Sequence, residues 1–190
     1  DGERKDANRR AEALNSADFV ILCLPDAAAI EAVAMIRNDS TKVIDASTAH
    51  RVAPSWAYGF PELSAGQREA IAASTRVSNP GCYPTGFLAL VAPLVAAGIL
   101  PADARLSVNA VSGYSGGGKE LIARFEAEPD IGFRSYGLSL NHKHVPEMQR
   151  GAGLTHPPLF APAVVPVYRG MLVEVPLGFD APAARAAFDA

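Results

Sequence analysis

The stretch Asp18-Phe19-Val20-Ile21-Leu22-Cys23-Leu24-Pro25-Asp26 decides the reading of the fold. It is a continuous apolar run of strand length, rich in branched residues, the pattern of a strand covered on both faces. Pro25 interrupts it, and Asp26 is placed to cap a helix with Ile30, Val33 and Ile36 on one face and an end near Asn38. Lys42 to Ala46 reads as a second buried strand, and residues 7–14, ahead of the first, have helix-forming composition. Strand, helix, strand at this spacing predicts a Rossmann-like α/β unit with a parallel, doubly wound sheet. Ligands of such sheets gather beyond the carboxyl ends of the strands, here near Pro25 and Ser47.

Beyond Cys82 the pattern changes. Phe87 to Leu100 is a helix-like apolar run, Arg105 to Val111 alternates in part, and Ala163 to Tyr168 and Met171 to Leu177 are strand candidates joined by Arg169-Gly170. Of the rest, only residues 119–128 and the tail 181–189 look helical, and Pro157, Pro158, Pro162 and Pro166 mark an irregular connection. Strands that follow one another through a short turn predict a mostly antiparallel sheet, hence a second, α+β domain. The expected division is residues 1–81 and 82–190.

With 190 residues, 49% of them hydrophobic, the chain can bury a substantial core. Seventeen basic against twenty acidic residues, a net charge of −3 without blocks, give no electrostatic footprint for nucleic acid or an anionic membrane. No apolar run reaches the ~18–20 residues of a membrane span, and the charged first residues lack the apolar stretch of a signal peptide. Two cysteines make no disulfide framework and fit a reducing cytoplasm. Cys23, within its apolar run, reads as core packing.

Cys82 is different. It stands in Ser78-Asn79-Pro80-Gly81-Cys82-Tyr83-Pro84-Thr85-Gly86, directly before the apolar helical run, so it is expected at a helix N-terminus, where free amides and the dipole favour a thiolate. This nonapeptide resembles the catalytic segment of the N-acetyl-gamma-glutamyl-phosphate reductase family within the semialdehyde dehydrogenases. Val43 to Arg51, Tyr58 to Leu63, Ser112 to Lys119 and His142-Lys143-His144-Val145-Pro146-Glu147 look like further blocks of that family, in order, and His-Lys-His points to its shorter form. The resemblance implies NADPH-dependent reduction of an acyl phosphate, N-acetyl-glutamyl 5-phosphate, to the semialdehyde through a Cys82 thioester. It implies His144 as general acid/base, with Glu147 to orient it and His142 as the weaker candidate. It also implies cofactor contacts from Leu24, Pro25, Ser47, Ser115, Gly116 and Gly117, substrate contacts from Asn79, Arg51, Lys119 and His142, NADP as cofactor, and a homo-oligomer.

Read from the residues alone, several of these positions keep alternatives. Gly113 to Lys119 spells most of a phosphate-binding P-loop, but Glu120 stands where such a loop needs Ser or Thr for magnesium, so NTP hydrolysis is not expected, whereas a cofactor- or phosphate-facing turn is. Arg51 is either an anion clamp or one half of a surface ion pair; Lys119 either pairs a substrate anion or is solvated. His-Lys-His with Glu147 lacks a third strong ligand, so no metal is expected. His50 and His156 are unassigned. Competing readings are a reductase of carrier-bound aminoadipyl phosphate, an aspartate-semialdehyde dehydrogenase (disfavoured by Gly81 before Cys82), and a Cys-His hydrolase. Because no glycine-rich turn precedes Ala17, the chain is expected to be an internal piece of a longer reductase, with little cofactor affinity of its own.

Overall fold

The computed structural model describes residues 6–178 and 181–188, and the chain falls into two units, Asp1–Gly81 and Cys82–Ala190, each with its own four-stranded sheet. The first unit comprises α1 (Ala7–Ser16), β1 (Phe19–Leu22), α2 (Asp26–Ala34), β2 (Lys42–Asp45), β3 (Ala57–Tyr58), α3 (Gln67–Ala73) and β4 (Arg76–Ser78). All its strands are parallel, in the order β1-β2-β4-β3. That is the expected α/β topology, to which β3 and β4 add two strands too short and too polar to stand out in the sequence.

One face of this sheet holds the core. Leu22 and Val43 pack with Ala29 and Ala32 of α2, and Leu14, Val33, Ile36 and Trp56 close around them. Phe19 and Ile21, which alternate to the other face, are 64% and 68% exposed among the described residues. Further corrections concern α2 and the residues around it. Its buried stripe is made by alanines while Ile30 lies outside, and Cys23, expected in the core, is exposed. Asp26 does not cap the helix either: it is the first helical residue, and its carboxylate accepts the Thr48 N–H at 2.8 Å. The helix stops at Ala34, before Asn38, whose side-chain oxygen accepts the amides of Ser40 and Thr41 at 3.0 and 2.8 Å and so shapes the turn into β2.

The second unit comprises α4 (Cys82–Ala96), β5 (Ser107–Gly113), a 3-10 turn (Tyr114–Gly117), α5 (Gly118–Ala127), β6 (Arg134–Ser135), α6 (Val145–Gly151), β7 (Leu159–Val165), β8 (Met171–Glu174) and α7 (Ala181–Phe188). Residue 189, the end of the expected helical tail, lies outside the described residues. The sheet order is β6-β7-β5-β8. Its two outer pairings are antiparallel, but the central pair, β5 with β7, is parallel over seven residues. Consequently β7 and β8 do not form the hairpin that the short Arg169-Gly170 connection suggested; β5 lies between them. Helix α6 was also not legible, being short and opening on Pro146 at its start, although Val145 and Met148, three residues apart, are both buried. Pro162, expected in an irregular connection, is instead buried inside β7. Its carbonyl accepts the Tyr136 N–H at 3.2 Å, on the side of two-residue β6, so its missing N–H falls there and not on the ladder to β5.

Helix α4 is the spine of this unit. Tyr83, Phe87, Leu88, Val91 and Leu94 are buried along it, against a core that includes Val108, Ala110, Met148 and Phe160. Each large side chain fully buried there contributes about 1.5–3 kcal/mol. The helix lies so close to β8 that a Cβ on Gly86 would stand 2.9 Å from the Val173 side chain. The next close approach is at Gly113, where a Cβ would meet backbone atoms of Arg169 and Val167 at 2.7 Å. Gly113→Ala is therefore expected to lower stability by about 1–3 kcal/mol. Gly116→Ala, whose Cβ would have its nearest neighbour at 3.8 Å, should stay within about 0.5 kcal/mol of the parent. Urea unfolding of the two variants side by side checks the ranking, and equal midpoints would contradict it.

Candidate active site

Cys82 is the first residue of the fifteen-residue α4 and is exposed. The first-turn amides of a helix have no partner within it, so the sulfur stands beside unpartnered backbone donors at the positive end of the helix dipole. Tyr83 turns inward from the same helix end. Its hydroxyl donates to Ser112 Oγ at 2.8 Å and accepts from the Tyr136 hydroxyl at 3.3 Å. Its ring stands edge-on to Phe160 (centroids 5.2 Å apart) and to His144 (6.0 Å).

His144, at the N-cap of α6, is buried, and Glu147 follows it in the first turn of that helix, also buried. The sequence condition for Glu147 to stand one helical turn from His144 is thus met. The His142 ring lies 4.7 Å from that of His144 and 5.7 Å from Tyr136. The His144 backbone N–H donates to His142 Nδ1 at 3.2 Å, which leaves the proton of the neutral imidazole on Nε2. Burial, and then the Lys143 charge, hold the His142 pKa below its usual value. Burial raises that of Tyr136, helped by its hydrogen bond to Tyr83 and by the charges of Tyr83 and Cys82, so Tyr136 keeps its proton throughout the neutral range. The structure thus gathers Cys82, Tyr83, Ser112, Tyr136, His142 and His144 in one unit. Tyr83 and Tyr136 had no role in the sequence reading, although Tyr83 lies inside the nonapeptide that drew attention to Cys82.

The glycine-rich turn is built differently from a phosphate cradle. The amides of Gly113, Tyr114 and Ser115 donate to the carbonyls of Gly170, Val167 and Tyr168 at 2.9–3.0 Å, so Ser115 faces the 167–170 connection with its backbone donor. The Gly118 amide returns to Ser115. What the turn offers a ligand is left to Gly116, Gly117 and the start of α5, where Lys119 is exposed.

In the first unit, the end of β2 is organised by a buried carboxylate. Asp45, with no exposed surface, accepts the Ser47 N–H and hydroxyl at 2.9 and 2.7 Å and approaches His50 Nδ1 at 2.6 Å. The His50 ring stacks on Trp56, centroids 4.1 Å apart. The Ser47 hydroxyl also accepts the Ala49 N–H, so it is engaged within the turn instead of reaching outward. Arg51 Nε donates to the Asn79 carbonyl at 2.9 Å and Nη2 to the Ala46 carbonyl at 3.0 Å, joining the ends of β2 and β4. Asn79 is exposed, and Leu24 and Pro25 form an exposed apolar rim at the end of β1. Among the described residues, no group of three His, Cys, Asp or Glu side chains suits a metal ion, and no helix is long and apolar enough to cross a membrane.

Two family models match the chain. The model of the semialdehyde dehydrogenase NAD binding domain matches residues 3–74, and that of the semialdehyde dehydrogenase dimerisation domain matches residues 82–189. The chain is 56% identical over 183 residues to the N-acetyl-gamma-glutamyl-phosphate reductase of Trichormus variabilis, covering 92% of this chain and 57% of that protein. It is 56% identical over 180 residues to the reductase of the same name from Burkholderia lata, covering 93% and 57%. The chain thus spans just over half the length of the curated relatives it matches. Among solved structures, aspartate semialdehyde dehydrogenase II from Vibrio cholerae superposes with a TM-score of 0.63 at 16% identity, over 92% of this chain and 60% of that one. A probable aspartate-semialdehyde dehydrogenase from Pseudomonas aeruginosa gives 0.61 at 20%, over 93% and 61%. At such identities the likeness concerns the fold.

The lowered His142 pKa fixes the sign of one pH effect. Below the ordinary histidine value of about 6.5, the unfolded chain binds a proton that the folded chain resists. Stability from this group is therefore full above about pH 6.5 and declines as pH falls toward the lower folded-state value. Between neutral and mildly acid pH, the wild type is expected to lose more stability than His142→Gln in urea unfolding. Equal losses would show that His142 is not the group concerned.

Proposed function

Because the chain belongs to the semialdehyde dehydrogenase family, we propose that its protein reduces N-acetyl-L-glutamyl 5-phosphate to the 5-semialdehyde with NADPH, releasing phosphate. The observation that carries this reading is Cys82 at the N-terminus of α4, with His144 packed on the neighbouring Tyr83. Identity of 53–56% to proteins named N-acetyl-gamma-glutamyl-phosphate reductase supports this acyl group over the aspartyl one.

In this mechanism the Cys82 thiol proton passes to His144, and Sγ attacks the acyl carbon. The bond from acyl carbon to phosphate oxygen breaks, its electron pair leaves with the phosphate, and His144 returns the proton to that oxygen. NADPH, when bound, supplies the hydride that reduces the resulting thioester. The carbon–sulfur bond then breaks with its electrons returning to Sγ, which frees the aldehyde, and one proton from solvent restores the starting state. Glu147 holds the His144 end of α6, and neutral His142, with its Nε2 proton, serves as a hydrogen-bond donor to the substrate.

The residues fit a dinucleotide in part. Leu24 and Pro25 offer an apolar rim, and α2 begins without a side-chain cap, but Asp26 in its first turn disfavours phosphate there. We assign Leu24, Pro25 and the turn fixed by Ser47 to the cofactor's apolar and ribose portions, with Gly116 and Gly117 as further contacts. Asn79 and Lys119 are the substrate's polar contacts, and Arg51 acts by fixing the Asn79 carbonyl. Exposed Phe133, Leu138 and Leu140 beside Tyr136 suit a second copy of the chain, in a soluble cytoplasmic homo-oligomer.

The test is NADPH oxidation by the whole protein with N-acetylglutamyl phosphate. Cys82→Ser should fall to background, and His144→Asn should lose about 10²–10⁴ in turnover with its fold intact, more than His142→Asn loses. Full activity in Cys82→Ser would overturn the reading.

A further inference from the structure

Beside the cluster around Cys82, the second unit has a cavity of about 260 Å³ lined by Gly117, Glu120, Leu121 and Arg124 of the turn and α5 and by Arg134 of β6. Arg124 spends only Nε on Glu128, at 3.3 Å. Arg134 is half-buried, and among the described residues its guanidinium makes neither a hydrogen bond nor an ion pair. A guanidinium partly withdrawn from water without a counter-charge is unfavourable, so the cavity is short of an anion. It adjoins the cluster from two directions. Arg134 is registered with Val164 and Val164 with Ser112, so the three side chains stand in one row, on the sheet face from which Ser112 Oγ meets the Tyr83 hydroxyl. Tyr136, two residues after Arg134, shares that face and donates to Tyr83. From the other direction, a Cβ on Gly116 would stand 3.8 Å from Ser112 Oγ, and Gly117 lines the cavity. Two strand spacings, about 10 Å, separate the backbones of Arg134 and Ser112, a span that an arginine side chain and a short acyl chain fill together.

We propose that this cavity receives the end of the substrate remote from its phosphate, the carbon that bears a carboxylate and an acylamino group: Arg134 and Arg124 donate to the carboxylate, Glu120 accepts the amide N–H, and Leu121 packs on the acyl methyl. This rests on the reading of the protein as a reductase of N-acetylglutamyl phosphate and deepens it by naming residues that select the acyl group. The lining suits this end of the substrate and not the other. An ionised phosphate offers acceptors only, so Glu120 would oppose it, whereas an acylamino carboxylate brings acceptors for the two guanidinium groups and a donor for Glu120. The acyl carbon and its phosphate belong at Cys82, and the carboxylate lies several bonds away from them.

The test compares kcat/KM of the whole protein for three acyl phosphates: N-acetylglutamyl phosphate, 4-acetamidobutyryl phosphate, which lacks the carboxylate, and glutaryl phosphate, which lacks the acylamino group. Arg134→Gln should lose about 10–100-fold with the two that carry the carboxylate, the usual worth of a hydrogen bond to a charged group, and much less with 4-acetamidobutyryl phosphate. Arg124→Gln should follow the same pattern, and Arg134→Lys should recover part of the loss. Glu120→Ala should show its loss with the two acetamido substrates only. Poor folding or a displaced Cys82 would lower all three substrates by one factor, and that result in both arginine variants overturns the proposal. A loss in Arg134→Gln that is present with NADPH and absent with NADH also overturns it, by assigning the cavity to the cofactor's 2′-phosphate. If the unaltered protein fails to oxidise NADPH with N-acetylglutamyl phosphate, the reductase reading falls, and this assignment with it.

Discussion

The packing of α4 into the second unit is the constraint on which the site depends. Phe87, Leu88, Val91 and Leu94 are buried along its length, which fixes where the helix begins and how it is turned. Cys82 owes its position to that distant packing, since a helix start is set by the register of the residues that follow. Gly86 allows the approach to β8, and the inward turn of Tyr83 carries the helix start into contact with His144 and Ser112. A single apolar helix thus places Cys82 at one end and orders its surroundings one residue later.

A buried carboxylate does comparable work in the first unit. Burying a charge without partners is costly, and Asp45 offsets this with the Ser47 amide and hydroxyl and with His50. Its own backbone carbonyl accepts the Asn79 N–H at 2.7 Å, while Arg51 spans Ala46 and Asn79. The polar block that follows the second strand therefore ties the ends of β2 and β4 together from within. Charged and polar residues ending an apolar strand invite a reading as ligand contacts; here most of their hydrogen-bonding capacity is used internally.

What the sequence disclosed followed from periodicity and from punctuation. The apolar runs at 18–24 and 42–46, separated by helical composition, identified the parallel sheet, and Pro80-Gly81 before an apolar run located the start of α4. Burial was harder to read. Phe19 and Ile21 have the same composition as Val20 and Leu22 but opposite exposure, because exposure depends on which face the rest of the fold shields. Pairing in the second sheet was illegible for a related reason: the tight Arg169-Gly170 turn is a local signal, while β5 entering between β7 and β8 is decided by long-range packing. Tyr136 was missed because its partners, Tyr83 and His142, come from α4 and from the loop before α6, and no local spacing connects them.

The placement of β5 also bears on how the second unit is made. Ser107 is registered with Leu159 and Ser112 with Met171, so the central strand is synthesised well before either neighbour. Local helix formation in α4 can precede it, but the sheet has to wait for two closures of long loops, the kind of topology that slows folding. Until β7 and β8 arrive, β5 presents two open edges in a chain still being synthesised. The strand that rests on Gly86, β8, follows β7 in the chain, so the surroundings of Cys82 are completed only after the β5–β7 pair has become possible.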